Sequence, residues 1–210
     1  MFDLIASGGW MMVPILICSI IAMAIVFERI WSLRTSSVMP PDLITEVVKR
    51  ARQNKIDNVY LRQLKVGSPL GAIVAAALTS QHLDHKGIQD QVELAGRQVV
   101  HELERYLNTL GTIASISPYM GLLGSVLGMM KVFATFSAAG NPANNPSVLA
   151  GGISEILVAT AAGLAVAIPS LIFYRYFQGR VAELTVRMEE EAVQLMDHLN
   201  KPPTGSPPSP

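Results

Sequence analysis

The sequence predicts an all-α integral membrane protein with three transmembrane helices, the second and third extended far into the cytoplasm. Three observations carry this. Half of the 210 residues are apolar and only 15% are charged. The apolar residues are bunched: Leu4–Phe27, Tyr106–Met130 and Ile156–Tyr174 contain no charge, and each is about as long as the roughly 17–25 residues that a spanning helix needs. Beyond the second and third runs, apolar residues go on recurring at helical spacing among charged ones. The formal net charge is zero, so bulk charge predicts no nucleic-acid partner; the expected surroundings are a lipid bilayer.

Residues 1–31 form the first predicted segment, a transmembrane helix whose N-terminus faces out. The start, Met1 to Trp10, has no Lys or Arg, unlike the basic start of a cleaved signal peptide. Trp10 and Trp31 are placed to mark the two interfaces, and Arg29 and Arg34 follow the span. Positive flanks stay in the cytoplasm. Arg97 and Arg105 before the second span agree, as do Arg175 and Arg180 after the third and the uncharged loop Ser137–Ser147 between them. The expected topology is N-out and C-in. Cys18 cannot form an internal disulfide and reads as a small apolar packing residue.

Residues 32–105 read as a cytoplasmic helical region. Asp42 is an N-cap candidate, followed by Leu43, Ile44, Val47, Val48 and Ala51 at helical spacing. Ser68-Pro69 is a second helix start, for a helix reaching about His82, with Asp84–Gly87 as a break. From Ile88, the positions Val92, Ala95, Val99, Leu103 and Leu107 keep one apolar face. One unbroken helix is expected from Ile88 to about Phe136, roughly 70–75 Å long.

Residues 106–176 are the predicted hairpin of spans two and three, and 177–200 the cytoplasmic extension of span three. Phe177, Val181, Leu184, Met188, Ala192, Leu195 and Leu199 continue its stripe, which implies helix packing below the membrane. The tail, residues 201–210, has no apolar content and is expected to be disordered.

The hairpin carries the candidate site. Counting at 1.5 Å per residue from the outer loop puts Ser125 roughly 21 Å deep and Thr160 roughly 18 Å deep, level with one another. Two hydroxyls at one depth form a polar ring if several subunits surround an axis. The alternative is that each bonds the carbonyl one turn back in its own helix. Lys131 and Glu155 both fall roughly 10–12 Å from the outer end. An ion pair is expected, since unpaired charge in lipid is costly; the competing expectation is that Lys131 snorkels outward. Glu155 is the one carboxylate inside the predicted spans, and an intramembrane acid is a functional candidate. Gly121, Gly124 and Gly128 line one helix face, answered by Gly152, Ala159 and Gly163 on the third span. Small faces let helices approach closely. Pro118 and Pro169 are candidate kinks.

The sequence has no phosphate-binding glycine loop, no Cys/His set with metal-ligand spacing and no nucleophilic triad; His82 and His85 read as solvated. No enzyme activity, metal or cofactor is expected.

The segment P-Y-M-G-L-L-G-S-V-L-G-M-M-K-V-F, followed by I-S-E-I-L-V-A-T-A-A-G-L-A-V-A-I-P, resembles the MotA/TolQ/ExbB proton-channel family, ExbB most closely. The resemblance implies a homopentamer around a dimer of single-span ExbD- or TolR-like proteins in the lumen, in the bacterial inner membrane, with the N-terminus periplasmic. The proton-carrying aspartate would belong to that partner. Ser125 and Thr160 would face it, since they match hydroxyl positions of the family's G-L-L-G-T and A-T-A-x-G-L motifs, and Glu155, which matches a family glutamate, would join them in the proton pathway along the lumen. Protons are the transported ion. Their flow would drive a molecular motor that energises a TonB-like protein and outer-membrane transport. Ser125 drops the methyl of the family's threonine, and Lys131 stands where a neutral residue or histidine is usual. Two alternatives stay open: a TolQ-like role in envelope integrity, and a non-conducting membrane scaffold.

Overall fold

The computed structural model describes residues 9–53, 55–80, 83–139 and 146–200. The expectations for the tail, for His82 and for loop residues 140–145 lie outside these, as do those for the side chains of His85 and Leu199. All regular structure among the described residues is helical: α1 Met12–Ser32, α2 Thr35–Val38, α3 Leu43–Arg52, α4 Asn58–Gly67, α5 Pro69–Thr79, α6 His85–Leu103, α7 Leu107–Ala139 and α8 Pro146–Asn200. They fall into two compact units, one of Met1–Arg29 and Tyr106–Phe177, the other of Ile30–Arg105 and Gln178–Pro210.

The first unit holds α1 as far as Arg29, α7 and the first part of α8. Among the described residues three helical stretches are long and apolar enough to cross a membrane: Met12–Ser32, Leu107–Ala134 and Ala150–Leu195. The chain is thus a multi-pass membrane protein. Trp10 and Trp31, at the two ends of α1, are both exposed. Ile15, Leu110, Ile113, Ala159 and Ala167 are buried, while Ile20, Phe27, Leu122, Phe133, Leu157 and Ile172 point outward. Outward apolar side chains suit a lipid surround, and continuous helices satisfy the backbone there. Pro118 and Pro169 both lie inside their helices.

The expected single helix from Ile88 to Phe136 is divided. α6 stops at Leu103 and α7 starts at Leu107. Between them Tyr106 takes φ +62, the one positive φ at a non-glycine among the described residues. Such a conformation costs about 1–2 kcal/mol for an L-residue. The Arg29 guanidinium carbon lies 5.6 Å from the centroid of the Tyr106 ring, a cation–π contact that partly offsets this cost. The apolar stripe runs through the break without changing phase, and no Gly or Pro marks it.

In the second unit, short polar side chains set the helix starts. Asp57 Oδ1 accepts from the Tyr60 N–H at 3.0 Å, Ser68 Oγ from Gly71 at 3.0 Å and Asp84 Oδ1 from Gly87 at 3.0 Å. Each satisfies one orphan amide of a first turn. Asp42 occupies the cap position of α3, but its side chain makes no capping bond, because its own backbone is already helical. The stretch Asp84–Gly87, expected as a break, is the capped first turn of α6, which starts at His85 rather than Ile88. α5 ends at Thr79, short of the expected His82, where the Ser80 N–H closes on Ala76 O at 3.1 Å.

α5 is almost wholly apolar and packs against both α4 and α6. Its Leu70, Ile73, Val74, Ala75, Ala77 and Leu78 are buried. Arg50 pairs with Glu46 at 2.8 Å and stacks 4.2 Å above the Tyr60 ring. The Tyr60 phenol is pushed above its ordinary value of 10.0, first by burial, then by Glu46, and against the pull of Arg50. In α8, Val181, Leu184, Met188, Ala192 and Leu195 are buried at the expected spacing, and Arg180 donates to Thr35 Oγ1 at 2.6 Å.

Candidate functional site

The site lies where α7 and α8 cross as antiparallel neighbours. Small residues allow the backbones to touch. A Cβ on Gly121 would stand 2.9 Å from Ala159 O and 3.2 Å from Thr160 Cα. One on Gly124 would stand 3.0 Å from Ala159 Cβ, and one on Gly128 2.7 Å from Ile156 Cγ1. On α8, Gly163 fits against Ser117 O and Gly121, and Gly152 against the Val132 side chain. All five candidate packing glycines therefore sit in this one seam.

The seam brings Ser125 and Thr160 together. Their hydroxyl oxygens are in hydrogen-bond contact. Ser125 Oγ is also 3.1 Å from Gly121 O and 3.1 Å from Ile156 O, and Thr160 Oγ1 is 3.2 Å from Ile156 O. The bond to the helix's own preceding turn and the bond between hydroxyls therefore coexist. Each hydroxyl has one proton to give and can also accept. If Ser125 donates to Thr160, Thr160 donates to Ile156 O. If the bond reverses, Ser125 donates to a carbonyl instead. The proton order can invert with no heavy atom moving.

The charged pair stands nearer the loop end. Lys131 Nζ is 3.4 Å from Glu155 Oε1, with Lys131 61% exposed and Glu155 30%. Glu155 directly precedes Ile156, whose carbonyl serves both hydroxyls. Gly9, before α1, takes φ +69, and a Cβ there would overlap Glu155 Oε1.

Three participants had no clear signal in the sequence. Gly9 belongs to no motif. Gly111 receives the Tyr174 ring, 2.9 Å from where its Cβ would be. Ser117 is fully buried, and its Oγ has no hydrogen-bond partner among the described residues, at a cost of about 1–3 kcal/mol. Ser117 sits one turn before Gly121, so the glycine face already pointed towards it. Among the described residues no cluster of His, Cys, Asp and Glu could hold a metal ion.

Comparison with known proteins finds relatives of this chain. Residues 65–190 match the MotA/TolQ/ExbB proton channel family. An ExbB-like biopolymer transport protein of Synechocystis is 30% identical over 189 residues, 90% of each chain. The biopolymer transport protein ExbB of Salmonella typhimurium is 33% identical over 117 residues, 54% of this chain and 47% of that one. The Tol-Pal system protein TolQ of Haemophilus influenzae is 40% identical over 96 residues, 46% of this chain and 41% of that one.

Proposed function

The chain belongs to the MotA/TolQ/ExbB proton channel family and is of the ExbB/TolQ type, and we propose that it forms the proton-conducting wall of an inner-membrane motor. In this reading five copies surround two single-span helices of an ExbD/TolR-like partner, with the N-terminus periplasmic and the C-terminus cytoplasmic. The chain does no bond chemistry. It offers Ser125 and Thr160 to a carboxylate on the partner, and protons are the only ion carried. The motion of the partner is passed to a TonB-like protein that powers outer-membrane transport.

The observation that carries this is the contact of the two hydroxyls over one shared carbonyl, Ile156 O. Such a pair takes a proton on one side and releases one on the other. It holds no acid of its own, so a relay needs a carboxylate beside it. A non-conducting scaffold would use the same hydroxyls only as interhelical hydrogen bonds, and apolar replacement would weaken its packing slightly and leave its assembly working.

Co-expression with an ExbD-like protein and native mass spectrometry test the reading. A complex of five to two, with proton flux that falls in Thr160→Val, is expected. A stable assembly that takes up no such partner, or flux indifferent to Thr160→Val, overturns it. A second reading, envelope integrity in a Tol-Pal type system, is favoured by the 40% identity to TolQ. Complementation of strains lacking either system separates the two.

A further inference from the structure

The polar groups of the spans include a second cluster beside the hydroxyl pair, and Glu155 Oε1 is its centre. Lys131 Nζ reaches that oxygen from α7 at 3.4 Å. The Gly9 backbone closes on the same oxygen from before α1, so tightly that a Cβ on Gly9 would overlap it. Three separate stretches of chain thus converge on one atom. Gly9 suits the place twice over: it has no Cβ to strike the carboxylate, and its φ of +69 is one that other L-residues rarely adopt. Its turn is continued by the Met12 N–H, which bonds Gly9 O at 3.1 Å.

A glutamate on an otherwise apolar helix face has several rotamers open to it. Here one flank is walled by Gly9 and the charge is met by Lys131. The next residue, Ile156, presents the carbonyl shared by Ser125 and Thr160. Where the carboxylate is held therefore decides how it stands to the hydroxyl pair.

We propose that Gly9 and Lys131 are positioning residues for Glu155, holding its carboxylate in one place at the loop end of the hydroxyl pair. The proposal rests on the proton-path reading above. It assigns the stretch before α1 a part in the site, and it gives Lys131 a role beyond neutralising a charge.

The test uses the full chain in its complex with the co-expressed partner and has two readouts. The first is contact. A water-soluble carbodiimide activates a carboxylate and a neighbouring amine displaces it as the urea, leaving an amide between Lys131 Nζ and the Glu155 side chain. Mass spectrometry reads this as a linked peptide pair short of one water. The second is proton flux in Gly9→Ala, Lys131→Gln and Lys131→Arg. Coupling is expected in the native chain, with a several-fold fall in Gly9→Ala. Flux is expected to fall several-fold in Gly9→Ala and Lys131→Gln and to be rescued in Lys131→Arg, which a merely structural role for the lysine stem would not require. Coupling unchanged in Gly9→Ala overturns the proposal. So does flux that responds to Thr160→Val but to neither Gly9→Ala nor Lys131→Gln. Flux indifferent to Thr160→Val as well overturns the proton-path reading instead, and the coupling yield then still decides whether Gly9 and Lys131 hold Glu155.

Discussion

Gly163 and Gly121 meet backbone to backbone: a Cβ on Gly163 would stand 3.0 Å from Gly121 Cα and 2.6 Å from Ser117 O. Rigid backbone lies on both sides, so an added methyl cannot be absorbed by a rotamer change. Gly163→Ala is expected to push α7 and α8 apart and to cost about 1–3 kcal/mol, the usual penalty of overpacking. Thermal melting in detergent measures it. Gly151→Ala is the control, because nothing lies within 4 Å of its missing Cβ.

Thr160→Val keeps the shape of the side chain and removes its hydroxyl. Ser125 still has Gly121 O and Ile156 O to donate to. The expected stability loss is therefore about 0.5–1.5 kcal/mol, the net worth of one hydrogen bond, while proton flux falls by an order of magnitude or more. Thr160→Ser is expected to retain flux. Flux assays on reconstituted complexes, paired with melting curves, separate a lost relay from a lost fold.

At Tyr106 the backbone is left-handed, and glycine bears that conformation without penalty. Tyr106→Ala loses the ring under Arg29 and keeps the strain; Tyr106→Gly loses the ring and relieves the strain. The alanine variant is expected to be less stable than the glycine variant by about 1 kcal/mol, the reverse of the order inside a regular helix. Equal stability, or glycine as the worse of the two, would show that α6 and α7 join into one helix across this point.

Burial raises the Tyr60 phenol above 10.0, with Glu46 adding to the effect. The fold thus prefers the neutral phenol. That contribution is fully present below the unfolded value, near 10, and is lost as pH rises through the folded one. Melting temperature is expected to fall as pH goes above 10, and Tyr60→Phe is expected to flatten this alkaline limb. A limb as steep in the variant would place its origin elsewhere.

The helix start at Pro69 and the presence of a first span were legible because their signals are local: a serine before a proline, a charge-free run of spanning length; the start of the first helix at Met12, well inside the run from Leu4, was not. The glycine face and the shared level of the two hydroxyls were legible because position along a helix of constant rise follows from counting residues. The break at Tyr106 was not, since a left-handed tyrosine leaves no mark in the apolar stripe. Nor was the cap at Asp84, whose turn residues serve a break and a helix start equally well.

By itself, the sequence determined that this chain is helical and crosses a membrane, that its hairpin is smooth on one face, and that four polar groups lie at two levels within it. These follow from periodicity, from length and from the cost of polar groups in lipid. Only the tertiary structure decided that Ser125 and Thr160 share the Ile156 carbonyl, and that Gly9 joins Lys131 at Glu155. Those contacts link residues far apart in the chain, and they depend on the rotation of one helix about its axis against another. Residue counting gives the level of a side chain; the azimuth at which two helices meet is set by close packing, here by glycines that admit a neighbouring backbone.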